Sequence, residues 1–304
     1  MPRRPQEKNP SDAGDAPPPR YDLLALDLDG TLLRADKQIA KYDAVAIGEA
    51  KRRGVKVVIA TARPPRSARA IHARLKLNTP LINYNGALIH HVEQARHMLH
   101  DPLPADTARA IIHMARSLEP KVIVSIEVLD KWYTDHDDPN LTTETARKFK
   151  PDFIGPLDVP LRDAVTKLML LASPKRIKRI KPKITEAFAG RAAFVESDDH
   201  IMQVVHPQVD KGRALAWVAS SLGVPAERVC AIGDAPNDTG MLRWAGLGCA
   251  VANSFGSARA EANVLLDHTN DQWAVGRAIE RYVLRDHCVE REVKKFESGL
   301  SGMV

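Results

Sequence analysis

The sequence predicts an α/β protein, a doubly wound, mainly parallel sheet with an inserted α+β layer. Three observations carry this expectation. Between residues 21 and 87, apolar runs alternate one-to-one with amphipathic helical patterns, as in a parallel sheet covered on both faces. The same alternation resumes over residues 211–284. Between the two stretches, strands and helices interleave without that regular alternation, which reads as a separate α+β layer. The expected layout is a tail over 1–20, a discontinuous core over 21–87 and 204–288, an inserted domain over 88–203 and a second tail over 289–304.

Along the chain, residues 23–33 begin as a buried apolar strand and end in Asp27-Leu28-Asp29-Gly30. A helix over 39–53 presents Ala44, Val45, Ile47 and Ala50, and Gly54 stops it. The apolar run 55–60 ends at Thr61-Ala62-Arg63. The next helix carries Arg66, Arg69, His72 and Arg74 on its polar side, and a third parallel strand runs into Asn85-Gly86-Ala87. In the insertion, short strands over 88–92 and 98–99 precede a helix over 105–118 with Ala108, Ile111, Ile112 and Ala115 on one face. A hairpin follows over 122–134, then a strand over 165–172 and a helix over 174–189 broken or kinked at Pro182. Strands over 191–196 and 201–205 close the layer. The resumed core has a helix over 211–222, strands over 228–232, 248–252 and 264–266, a helix over 239–245, and a closing helix over 273–284. His90-His91 reads as exposed loop or strand, and Trp132-Tyr133 as core of the insertion.

The 304 residues suit two domains or one domain with a large insertion, and a 44% hydrophobic content supports a sizeable core. No run reaches the roughly 18 apolar residues a membrane-spanning helix needs. Residues 1–20 lack the apolar segment of a secretory signal, so a cytoplasmic location without membrane partners is expected. Cys230, Cys249 and Cys288 are odd in number and widely spaced with no C-x-x-C pair, so neither a disulfide framework nor a zinc site is indicated. The net charge of +6 favours anionic partners. The basic run 175–181 reads as a solvated helix face, and no nucleic-acid partner is expected.

In open α/β sheets, ligands bind beyond the carboxyl ends of strands. Four such ends carry chemistry here: Asp27/Asp29, Thr61, Asn85 and Asp234. Asp27 and Asp29 stand two apart, and Gly30 opens a turn whose amides can hold an anion. Two acids beside an anion nest repel a phosphate unless a cation joins them, so the group implies a metal. Thr61 can donate to a phosphoryl oxygen. Lys211 opens a helix, where a cation opposes the macrodipole and gains only by reaching an anion. Asp234 and Asp238 are spaced to offer hard oxygen ligands to Mg²⁺ from a loop and a helix start.

Taken in order, DLDGTLL, the ATAR segment, the K-G of Val209-Asp210-Lys211-Gly212 and GDAPND resemble the four motifs of the haloacid dehalogenase-like (HAD) phosphohydrolases. ATAR is similar to the ATGR of the Cof-like branch, with Ala62 in place of Gly. The resemblance covers about residues 21–285 and implies a HAD-like core with a C2B-type cap inserted between the second and third motifs. It implies a phosphatase acting on a small phosphorylated metabolite such as a sugar phosphate. Asp27 would be the nucleophile, forming an aspartyl-phosphate, and Asp29 the general acid and base. Mg²⁺ would be held by Asp27, the Asp29 carbonyl and Asp234, with Asp238 as direct or indirect support. Thr61, Lys211 and Asn237 would hold the phosphoryl oxygens, while Arg63 and Asn85, within the NGA at the core-to-cap crossing, are candidate substrate contacts. A phosphotransferase or phosphomutase would use the same residues, since the first half-reaction is shared. From another class, a basic nucleic-acid-binding protein with a silent site would tolerate loss of the acids and Lys211 that are retained here. The sequence leaves the oligomeric state open.

Overall fold

In a computed structural model, which describes residues 19–141, 146–195 and 199–285, the chain enters at β1 (Leu23–Leu26). Residues 1–18 of the expected first tail, the whole of the second, Cys288 and part of the acidic turn after residue 195 lie outside the described residues. All four residues of β1 are fully buried, as an apolar strand needs helices on both faces. Next come α1 (Lys41–Arg52), β2 (Lys56–Ile59), α2 (Pro65–Arg74) and β3 (Leu81–Asn83), then the hairpin β4 (Leu88–His91) and β5 (Arg96–His100). A second layer follows, with α3 (Ala105–Leu118), β6 (Ile123–Val128), β7 (Lys131–Thr134), β8 (Phe153–Ile154), β9 (Lys167–Leu171), α4 (Pro174–Ala187), β10 (Ala193–Val195) and β11 (Ile201–Val205). The chain then returns through α5 (Lys211–Ser221), β12 (Val229–Gly233), α6 (Thr239–Trp244), β13 (Leu247–Ala250), α7 (Gly256–Glu261), β14 (Val264–Leu265) and α8 (Ala274–Ala278).

The first sheet is parallel throughout, in the order β14-β13-β12-β1-β2. The expected third parallel strand, β3, joins it only through an Ala60–Ile82 bridge, and Thr61 N–H donates to the Ile82 carbonyl at 2.9 Å. β3 then turns at Tyr84 and Asn85, both at positive φ (52° and 59°), and pairs antiparallel with β4. The second sheet has the order β10-β11-β9-β6-β7-β8 and is antiparallel except for β7 with β8. α3 and α4 cover one of its faces, with Ile111, Ala115, Ile177, Ile180 and Ile184 packed on Val124, Leu168, Leu170 and Val204.

Several local expectations are corrected. α4 is not broken at Pro182, which is exposed inside a continuous helix. Its missing N–H frees a carbonyl toward water, and the buried Ile180 and Ile184 pin the helix on either side. His72 is buried and not on a polar face; its Nε2 lies 2.9 Å from the Thr79 carbonyl. His90 is a buried strand residue packed on the His97 ring. The closing helix starts one residue late because Trp273 takes a left-handed conformation, and it continues as a π-helical turn over Ile279–Leu284. Trp132 is buried as expected, donating from Nε1 to Ser125 Oγ at 2.5 Å. Among the described residues no helix is long and apolar enough to cross a membrane.

The two layers meet through α2 and Tyr84. Asp130, in the β6–β7 turn, accepts from the Arg66 N–H at 2.8 Å and pairs with the Arg66 and Arg69 side chains. Arg66 also reaches Asp152 at 3.0 Å. The fully buried Tyr84 places its Oη 2.8 Å from Glu127 Oε2 and 2.7 Å from the Leu129 carbonyl.

One buried acid in the core serves no site. Asp43 accepts from the Gly276 N–H at 2.7 Å through Oδ1, while Oδ2 is buried without a partner. Burial pushes its carboxyl up to about 7. A folded-state value raised above the unfolded one means the native state holds the extra proton, so stability falls as pH rises from about 4 to 7. Asn is isosteric with the protonated acid. Asp43→Asn is therefore expected to leave Tm unchanged near pH 4 and to stabilise by a few kcal/mol near pH 8, checked by thermal melts across pH.

Candidate active site

β1 ends where the chain connections on its two sides diverge, toward β2 and toward β12, the switch point of a doubly wound sheet. Asp27 extends the ladder by one bond, its N–H donating to the Ile232 carbonyl at 3.1 Å, and this fixes its side chain at the carboxyl edge. Gly30 follows at φ 80°, and a Cβ there would collide with the Asp234 carboxylate. Only glycine gives both the turn and the room.

α5 delivers the cation. Asp210 caps it, its carboxylate accepting from the Arg213 N–H at 2.8 Å, and Lys211 stands in the first turn. The side chain of Lys211 is completely buried, with Nζ 2.6 Å from both Asp27 Oδ1 and Asp238 Oδ1. Those two carboxylates offset the unfavourable dipole at the helix start. A Cβ on Gly212 would meet the Gly240 backbone, so α5 approaches α6 closely enough to set this depth.

β12 ends in Gly233-Asp234, and a single 3₁₀ turn, Pro236–Asp238, brings Asp238 back beneath the site. Asp238 Oδ2 accepts from the N–H groups of Asp234 (2.9 Å) and Ala235 (3.0 Å), so both of its oxygens are engaged by the protein. Asp234 Oδ1 accepts from Thr31 Oγ1 at 2.8 Å.

The sequence-predicted residues converge. Asp27, Asp29, Thr61, Asn85, Lys211, Asp234 and Asn237 line one cleft of about 670 Å³. Asn237 Nδ2 donates to Asn85 Oδ1 at 2.8 Å, tying two of the loops together. Thr61 is buried, and its Oγ1 accepts from the Arg63 N–H at 3.2 Å, leaving the hydroxyl proton for a ligand. Arg63, expected as a substrate contact, lies beside this cleft against Asp29. Its guanidinium forms a two-pronged pair with Asp29, Nε to Oδ2 and Nη2 to Oδ1, both 2.6 Å.

Sequence reasoning missed Thr31, Lys37, Gln203 and Phe255. Thr31 stands inside the quoted DLDGTLL stretch and was legible there. Phe255 follows the end of β13, one strand end left unused. Lys37, which pairs with Asp29 at 3.0 Å, and Gln203, from the second layer, carry no sequence signal.

The charges are strained without a cation. Burial pushes the Asp27 carboxyl well up, Lys211 pulls it down, and Asp238 and Asp234 push it up again. Burial also raises Asp234, to about 6, against the Thr31 hydrogen bond and with the repulsion of Asp238. Burial alone would lower Lys211, but Asp238 and Asp27 outweigh it and hold the ammonium charged. Asp29 goes the other way: burial raises it, yet the hydrogen-bonded Arg63 and Lys37 bring it down to about 2. Asp27, Asp234 and Asp238 each offer a carboxylate oxygen, and these atoms lie within 4.8 Å of one another. Three buried hard-oxygen donors sharing one lysine leave a negative excess that a small divalent cation such as Mg²⁺ fits.

The chain as a whole is similar to known proteins. Residues 24–279 match the family model of the haloacid dehalogenase-like hydrolases. A 5-amino-6-(5-phospho-D-ribitylamino)uracil phosphatase of Bacillus subtilis is 30% identical over 263 residues, covering 86% of this chain and 97% of the relative. An HMP-PP phosphatase of Escherichia fergusonii is 30% identical over 241 residues, covering 79% and 87%. Among solved structures, a haloacid dehalogenase-like hydrolase from Bacteroides thetaiotaomicron superposes with a TM-score of 0.76 at 24% identity, covering 86% and 99%.

Proposed function

The chain belongs to the haloacid dehalogenase-like hydrolases and is a phosphatase of that family, and from this we propose that it hydrolyses a small phosphomonoester with Mg²⁺ through an aspartyl-phosphate on Asp27. The observation that carries the reading is the ammonium of Lys211, 2.6 Å from Asp27 at the end of the central strand, beside two further buried acids. Asp27, Asp234 and the Asp29 main-chain carbonyl would hold the metal, which neutralises charge on the phosphoryl group. Asp238, with both oxygens engaged, anchors Lys211 and the 234–235 backbone.

The Asp27 carboxylate attacks phosphorus and the ester oxygen departs with a proton from Asp29. Water then attacks the acyl phosphate as Asp29 takes its proton back, and phosphate leaves with Asp27 regenerated. Thr61, Lys211 and Asn237 hold the phosphoryl oxygens, so most of the work is positioning and charge neutralisation. The inserted stretch 88–203 serves as the cap, with the β4–β5 hairpin as its stem, and the protein works in the cytoplasm. A relative that is a 5-amino-6-(5-phospho-D-ribitylamino)uracil phosphatase supports a small metabolite as substrate. A phosphate-release screen over phosphorylated metabolites tests the reading. Activity that needs Mg²⁺ and disappears with a chelator is expected, and metal-independent release would overturn it.

Asp29 must loosen from Arg63 to act as an acid, then ionise to act as a base. Arg63→Ala removes the charge that keeps its carboxyl at about 2. Since the base form is needed, the acid limb of the kcat–pH profile is expected to move toward neutral pH by about one to two units. An unmoved limb would assign the base to another group.

A further inference from the structure

The cleft wall opposite Asp27 comes from the second sheet. On β11, Met202 and Val204 lie in the core beneath α3 and α4, so by strand alternation Gln203 points from the other face, toward the cleft. Its neighbour across the ladder is Val195 of β10, which also lines the cleft. Gln203 is half-buried, and among the described residues its carboxamide has no hydrogen-bond partner. A half-buried amide left unpaired is costly unless a ligand or water completes it. Across the cleft, Phe255 is 59% exposed, a large apolar ring facing the same space.

The charges in the cleft restrict what can lie there. Its described walls carry the acids Asp27, Asp29, Asp210 and Asp234 against the single cation Lys211. Lys211 is fully buried at the reacting end, so it serves the phosphoryl group that is transferred. Among the described residues, a second anionic group on the substrate would face carboxylates on one side and an uncharged wall on the other, and the further cations beside the cleft, Arg63 and Lys37, are both already paired with Asp29. An uncharged leaving group bearing hydroxyl or amide functions would satisfy Gln203 and meet Phe255 with its apolar part.

We propose that Gln203 is the specificity-determining residue of the cap, and that it selects monoesters of uncharged, hydrogen-bonding alcohols over substrates carrying a second phosphate. The inference rests on the phosphatase reading above and adds the substrate class.

The test compares kcat/KM for a hexose 6-phosphate, the matching 1,6-bisphosphate and phenyl phosphate, with slow esters scored as competitors of phenyl phosphate. The wild type is expected to favour the monophosphate over the bisphosphate by at least about tenfold. Gln203→Lys supplies the missing cation and is expected to shrink that ratio about tenfold or more by gaining on the bisphosphate. Gln203→Leu removes the hydrogen bond and is expected to narrow the hexose-phosphate to phenyl-phosphate ratio by about tenfold. A general loss of structure would lower all three rates together and leave the ratios in place. Wild-type indifference to the second phosphate, or ratios that neither substitution moves, overturns the inference while the reaction stands. Absence of any Mg²⁺-dependent hydrolysis of phenyl phosphate overturns the reaction and the inference with it.

Discussion

Asp27→Asn is expected to lower kcat by about three orders of magnitude or more while the protein stays folded. A carboxamide has the shape of the carboxylate but lacks the negative charge that would make its oxygen a nucleophile toward phosphorus. The site is rigid around it, since its backbone is fixed by the Ile232 hydrogen bond and its side chain sits against Lys211. Lys211 keeps Asp238 as a partner in the variant, and repulsion toward Asp234 and Asp238 is relieved. The melting temperature of the metal-free protein is therefore expected to stay within a few degrees of wild type. Phosphate release and thermal melts on the same preparation check both halves. Wild-type turnover in the variant would remove Asp27 from the chemistry.

Lys211→Met should do the reverse, damaging the fold as well as the activity. The ammonium is fully buried between two carboxylates, and removing it leaves both without their cation. Breaking a buried pair from one side costs about 3–5 kcal/mol. At roughly 2–4 °C per kcal/mol, Tm is expected to fall by on the order of 10 °C. The sign of the pH effect follows from Asp27, whose folded-state carboxyl already lies above its ordinary value and rises further without Lys211. A raised carboxyl stabilises the fold at low pH, where it is protonated, and that contribution is lost as pH rises. The gap to wild type should thus be wider at pH 8 than at pH 5. Melts at the two pH values measure it, and a gap independent of pH would mean the loss is one of packing alone.

Much of this site was legible before any coordinates because its residues sit at strand ends, where apolar runs stop abruptly at polar side chains. Asp27, Thr61 and Asp234 each follow such a run, and the parallel sheet makes those ends converge. Lys211 was legible for a different reason, as a cation standing where a helix start disfavours it. What the sequence could not show are partners brought by long-range packing. Nothing local ties Arg63 to Asp29, because that pair depends on how the loop after β2 lies across the turn after β1. Gln203 reads as an ordinary polar strand residue until the second sheet is folded over the first. His72 and His90 misled for a related reason: polar side chains in amphipathic patterns look solvent-facing, and only their tertiary neighbours bury them.

The hold of α2 on the β6–β7 turn reaches beyond stability. Asp130 accepts the Arg66 amide in the first turn of the helix that begins just after Thr61 and Arg63, so a shift of that turn is felt directly in the loop bearing those two residues. Grafting a lid module from a relative onto this scaffold would therefore fail as a simple cassette exchange. The donor would have to bring an acid matching Arg66 and Arg69, or the recipient helix would have to travel with it.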